Sequence, residues 1–192
     1  RRVPYRHDRK HRRERPGRLL DPLSRAVVVQ VEGNPAGAGR GHELVLVAAQ
    51  RIATAECFLS VLVPRRALHP RFAEHTGLAG DVLGAGEEVD VARGRWASFL
   101  RADDVLVGWG TFSPRLLATA GMVHEPWLDL RPVVIGRLGR RPGGVEAAAR
   151  ALGDEGFDGE TPGRAGRRLH ALSALVGAIL TRENRAPDLP IP

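Results

Sequence analysis

Cysteine is almost absent from this chain: Cys57 stands alone among 192 residues. That excludes an internal disulfide framework and a cysteine-rich zinc site. No uncharged apolar run reaches the roughly 18 residues that a membrane-spanning helix needs. The opening RRVPYRHDRKHRRERPG has no apolar stretch behind its charge, so it does not read as a signal peptide. The expectation is a soluble, intracellular, cytoplasmic protein with no membrane partner. Methionine is limited to Met122 and lysine to Lys10. With no initiator Met, the chain is expected to be a processed product or a piece of a longer protein, whose upstream domain could carry part of the function. The preference for Arg over Lys and the 23 glycines reflect a high-GC genome more than a chemistry.

Acidic residues are scarce in one place only. The 29 basic and 22 acidic residues give a net charge of +7, and residues 1–18 hold nine of the bases against Asp8 and Glu14. The remainder is neutral, with 20 of each sign. The chain therefore divides into a basic arm or linker at 1–22, a globular domain at 23–184 and an extended tail at 185–192. At this length one core is expected rather than two. Clustered cations release counterions from phosphates, which makes Arg6, Arg9, Lys10, Arg12 and Arg13 candidate nucleic-acid contacts, with Tyr5 available to stack. A solvated linker and an acidic partner are the alternatives for the same composition.

Hydropathy patterning places the elements. Ser24–Glu32 (SRAVVVQVE) reads as a central strand, apolar on both faces. GNPAGAGRG reads as the turn after it. His42–Ala49 and Ala55–Val63 read as two further strands of an antiparallel meander. A polar, Gly-broken stretch follows, then a helix over Glu88–Arg101 with an apolar stripe of Val91, Trp96, Phe99 and Leu100. Val105–Trp109 is a short strand, and a fifth lies near Trp127–Leu128. Helices are expected at Pro114–Ala120, Leu130–Leu138, Gly144–Leu152 and Ala165–Arg182. This order predicts an α/β fold in which antiparallel strands one to three continue into parallel strands four and five.

The series VVVQVEGNPAG, HELVLVAAQRI, CFLSVLVP, HTGL, FLRADDVLVGWGTFSPRLL, WLDLRPVV and GGVEAAARALG resembles the DEDD 3′-5′ exonucleases of the ribonuclease H-like fold. The WGTFS segment looks most like their ERI-type branch. The resemblance runs from Arg25 to about Leu180 and implies a five-stranded mixed sheet flanked by helices. It also implies two-metal hydrolysis, in which a pair of Mg²⁺ or Mn²⁺ ions roughly 3.5–4 Å apart is held by four carboxylates. Matched residue by residue, the first Asp of the family's Asp-x-Glu falls on Gln30 and its Glu on Glu32. The Asp after the fourth strand falls on Ser113. In the last helix the family's His falls on Gly166 and its Asp on Ala171; a shift of one residue would put His170 at the Asp position.

Glu32 is thus the one surviving carboxylate, and the general base is missing. The expectation is a pseudo-exonuclease with no metal and no cofactor. It would bind nucleic acid, RNA before DNA, or a protein partner, and would serve a nucleic-acid-processing or RNA-modifying enzyme. Trp109 and Phe112 match positions that face the terminal nucleotide in the family, and could stack on a base or pack the core. An active nuclease that rebuilt its site from Glu32, Glu43 and Asp129 is the first alternative. A protein-interaction or oligomerisation domain without nucleic acid is the second. His69, Glu74 and His75 match no dedicated metal spacing and read as structural, as does His170 on its helix. The glycines from Gly33 to Gly41 lack the Gly-Lys-Ser/Thr of a phosphate loop.

Overall fold

The computed structural model describes residues 17–35, 41–154 and 163–184. The strand β1, Ala26–Pro35, is continuously apolar at its start because it lies in the middle of a sheet covered on both faces. It pairs antiparallel with β2, His42–Arg51, which pairs antiparallel with β3, Cys57–Val61. On its other side β1 runs parallel to β4, Val105–Gly108, which runs parallel to β5, Trp127–Asp129. The resulting five-stranded order is β3-β2-β1-β4-β5. This is the expected mixed α/β architecture.

The two-residue period of β1 sorts its side chains between two cores. Val27, Val29 and Val31 enter one with Ala92 and Trp96 of α4, Val89–Phe99, and Leu116 and Leu117 of α5, Phe112–Thr119. Ala26 and Val28 enter the other. There they meet Leu130 and Val134 of α6, Leu130–Leu138, Ala148 and Ala149 of α7, Val145–Ala151, and Leu172, Leu175 and Val176 of α8, Gly163–Asn184. Between Glu32 and Gly33 the β1–β2 register jumps, because Val45 is an extra residue in β2. Leu46 packs on the α8 side and Leu44 on the opposite side. No described helix is long and apolar enough to cross a membrane.

Three short helices differ from the sequence reading. Gly17–Ser24 forms α1, although Pro22 lies inside it, and Leu23 is fully buried against the α8 core. The helix crosses residue 22, where the sequence reading ends the arm. Phe72–Thr76 forms α2 and Gly80–Gly84 forms α3, where a Gly-broken connection was expected. Phe72 and Leu83 drive them by plugging into the core. The strand β1 also runs to Pro35, into the first residues of the stretch assigned to the turn.

At the end of the sheet where β4 begins, Arg51 is buried with a side-chain exposure of 3%. Its Nε donates to Asp104 Oδ1 at 3.2 Å, and its Nη2 donates to Asp104 Oδ2 at 2.7 Å and to the Phe99 carbonyl at 2.7 Å. Nη1 pairs with Glu56, and the guanidinium lies 4.7 Å over the Phe99 ring. Burial pushes the Asp104 carboxyl up, but the Arg51 hydrogen bonds, the Arg101 backbone N–H and the charges of both arginines outweigh it and hold it below the usual carboxylate range. Removing one partner would strand a buried charge. Asp104→Ala is therefore expected to lower stability by about 3–5 kcal/mol, read from urea unfolding, with Arg51→Met/Asp104→Leu recovering much of the loss. Because the folded carboxyl titrates below its unfolded value, its contribution is complete at neutral pH and disappears as pH falls below about 4. The stability gap between the unaltered chain and Asp104→Asn should accordingly narrow on acidification, which unfolding curves at a series of pH values would follow.

Candidate functional site

The parallel pair β1 and β4 ends at one edge of the sheet, the place where open α/β sheets gather their ligand-binding groups. After Val28, the strand period carries Gln30 and Glu32 onto the α8 side of β1, and both are buried, Glu32 with 1% exposure. A carboxylate cannot stay charged there without compensation. Arg164 supplies it from the first turn of α8: Nε donates to Glu32 Oε1 at 3.0 Å and Nη2 donates to Oε2. This two-pronged geometry is the strong form of an Arg–carboxylate contact. The Glu32 hydrogen bond raises the Arg164 pKa further above its ordinary value, against the opposing pull of burial.

The HTGL segment makes this contact possible. Thr76 Oγ1 donates to the Phe72 carbonyl at 2.9 Å and accepts from Leu78 N–H at 3.2 Å, which closes α2 tightly. Gly77 and Gly163 then meet with φ of 71° and 68°. A Cβ on Gly163 would stand 2.3 Å from the Thr76 carbonyl oxygen, so only glycine lets α8 begin here. Arg164 follows directly and reaches Glu32 across 132 residues of sequence.

Beside the pair lies a cavity of about 320 Å³ whose walls include His42, His69, His75, Phe112 and Arg164, with no carboxylate among the described residues that line it. Phe112 is 44% exposed and meets His42 edge to face at 5.3 Å. Trp109 is half-buried and packs against the α8 core, so of the two proposed stacking residues Phe112 alone faces this cavity. Ser113 is buried in the first turn of α5. Gly166 and Ala171 are buried along α8, and Ala171 belongs to the core, about 10 Å of helical rise beyond Arg164. The basic residues Arg6, Arg9, Lys10, Arg12 and Arg13 lie outside the described residues.

These groups do not fit a pair of divalent cations. Hard cations need several oxygen ligands carrying negative charge, whereas Glu32 is already engaged by a guanidinium and Gln30 and Ser113 are neutral. No three His, Cys, Asp or Glu side chains among the described residues are placed to hold a metal ion. The acids proposed for a rebuilt site are occupied elsewhere. Glu43 Oε1 accepts from the Arg65 backbone N–H at 2.7 Å. Asp129 Oδ1 accepts from Gly110 N–H at 2.8 Å and Arg131 N–H at 3.0 Å, capping α6. Glu74 pairs with Arg71, and His170 Nε2 lies 3.1 Å from Asp154 Oδ1. Sequence reasoning missed Arg164, and missed that His69 and His75 converge on the cavity. Nothing in GRAGRRLH singles out its first arginine.

No family model and no curated protein matches the chain. Solved structures do. A 3′-exonuclease that recognises the 3′ end of a histone mRNA stem-loop aligns over 86% of this chain at a TM-score of 0.60 and 12% identity, and the chain spans 65% of that protein. A full-length 3′-exonuclease aligns over 87% of this chain and 92% of its own, at 0.62 and 13% identity. Exonuclease X, bound to duplex DNA with a 5′ overhang, aligns over 81% and 92%, at 0.57 and 15% identity. At such identities the likeness concerns architecture. This chain has the fold of the DEDD-type 3′-5′ exonucleases, the ribonuclease H-like sheet with its flanking helices.

Proposed function

We propose that this protein is a non-catalytic, exonuclease-like module that binds the end of a nucleic-acid strand, RNA before DNA, without metal ions. The observation that carries the reading is the buried Glu32–Arg164 pair. A guanidinium neutralises the carboxylate that metal ions would otherwise balance, so the site is electrostatically complete without them. The cavity beside it has the opposite sign preference from a cation site. Arg164 Nη1, which Glu32 does not use, and the ring N–H groups of His42, His69 and His75 are donors suited to phosphate oxygens. Phe112 offers an exposed face to a base. The cavity volume lies at the small end of ligand pockets, roughly 300–1,000 Å³, which suits one terminal nucleotide.

In this reading Gln30, Ser113, Gly166 and Ala171 are the degenerate positions of a lost metal site. The basic arm at 1–22 supplies sequence-independent affinity to the domain at 23–184, and 185–192 is a tail. The module acts beside a nucleic-acid-processing enzyme, in the cytoplasm. That one structural neighbour recognises an mRNA 3′ end supports RNA as the first ligand to test.

Two measurements check the proposal. Incubation of 5′-labelled single-stranded RNA and DNA with Mg²⁺ or Mn²⁺ should give no trimming, and RNA affinity should be the same with and without EDTA. Metal-dependent trimming that disappears in Glu32→Ala would overturn the reading. Phe112→Ala should weaken binding by roughly tenfold, the value of about one stacked base, while leaving the unfolding midpoint in place because the ring is exposed. An unchanged affinity would remove Phe112 from the binding surface.

A further inference from the structure

A second, larger groove opens beside the terminal cavity. It encloses about 600 Å³ between the start of α4, the end of α5, the first residues of β2 and the segment that follows β3. His42 lines both this groove and the smaller cavity, so the two meet at its ring. The groove carries Arg65, Arg66 and Arg93 against Glu43 and Asp90. Asp90 pairs with Arg93 at 2.9 Å. Glu43 turns inward: Oε1 accepts from the Arg65 backbone N–H, and Oε2 is buried without a hydrogen-bond partner among the described residues. That hydrogen bond ties the start of β2 to the segment bearing the two remaining cations. Arg65 and Arg66 are both exposed, and neither makes an ion pair among the described residues. The exposed side chains of the lining that lack an ion-pair partner among the described residues are therefore both cations, and the lining as a whole holds three arginines against two carboxylates.

We infer that this groove carries the phosphodiester backbone of a single strand whose terminal nucleotide occupies the smaller cavity, with Arg65 and Arg66 as its phosphate contacts and His42 at the turn between the two. The inference rests on the nucleic-acid reading and adds a path to it. The strand must be single because a base that stacks on Phe112 has left its partner. It must be read by its backbone because the groove's solvent-facing groups are cations, which bind phosphate without regard to sequence. Flexible exposed arginines suit a track along which successive phosphates pass, whereas the held Arg164 suits a fixed end point.

Binding of 5′-labelled single-stranded RNA to the full chain distinguishes the possibilities, with a dinucleotide compared with an oligomer of about eight nucleotides. Arg65→Ala/Arg66→Ala should weaken the longer oligomer by roughly tenfold. It should also reduce the slope of log K against log salt by about 1.4, two phosphates at roughly 0.7 each on a single strand. Dinucleotide affinity and the unfolding midpoint should not change. The same affinity and slope for the longer oligomer in the variant would overturn the groove and leave the terminal cavity standing. An equal loss for the dinucleotide would also overturn it, by placing both arginines at the end point. If the unaltered chain bound neither length, the nucleic-acid reading beneath it would fail first.

Discussion

A carboxylate buried at 1% exposure on the central strand of the sheet sets the terms for everything around it. Glu32 must find positive charge, and the source decides what the site can do. Divalent cations would leave open coordination positions and polarise a bound water. A guanidinium saturates the same oxygens with fixed hydrogen bonds and activates nothing. In the structure the partner of Glu32 is Arg164, whose placement governs the local geometry in turn: α8 begins where it does, Gly77 and Gly163 touch, and α2 closes on Thr76. A constraint on one side chain thereby reaches three elements separated widely in sequence.

The same solution appears at the other end of the parallel strand pair, where Arg51 and Asp104 are buried together. The two pairs differ in access. Arg51 is enclosed, capped by the Phe99 ring and carbonyl, and has no free face. Arg164 retains 32% side-chain exposure and borders a cavity. One pair therefore closes the sheet, and the other both closes it and borders an open cavity. Both ends of the strand pair thus carry a guanidinium as the counter-ion of a buried carboxylate.

Much of this was legible in the sequence because burial leaves periodic traces. The continuous run VVVQV marks a strand covered on both faces, and the succession of strands and helices after it carried the antiparallel meander and the parallel strands four and five. Gln30 and Ser113 were legible as neutral residues at positions that the fold buries. The three short helices were not, because five to eight residues carry almost no periodicity, two of the three contain Pro or Gly, and a single buried Leu23, Phe72 or Leu83 anchors each. Arg164 was illegible for a different reason. It is one of three arginines within GRAGRR, and nothing local distinguishes the one that finds a carboxylate on a distant strand. His69 and His75 matched no metal spacing, and their convergence depends on Asn34, whose side chain accepts from His69 N–H and donates to the Ala67 carbonyl.

The extra residue in β2 has a further meaning for how such a domain can change. Before Val45 the strand is out of phase with the part after it, so Leu44 and Leu46 face opposite cores although they are two apart. Loss of Val45 would remove the bulge and turn nothing over: Leu44 would still lie opposite Gly33 on the α4 and α5 side, and Leu46 opposite Glu32 on the α8 side. Loss of a residue from the regular part of the strand would instead move every side chain on one side of it to the other face. Val45 is thus a residue that β2 can hold or lose at this edge of the sheet with both faces of the strand kept.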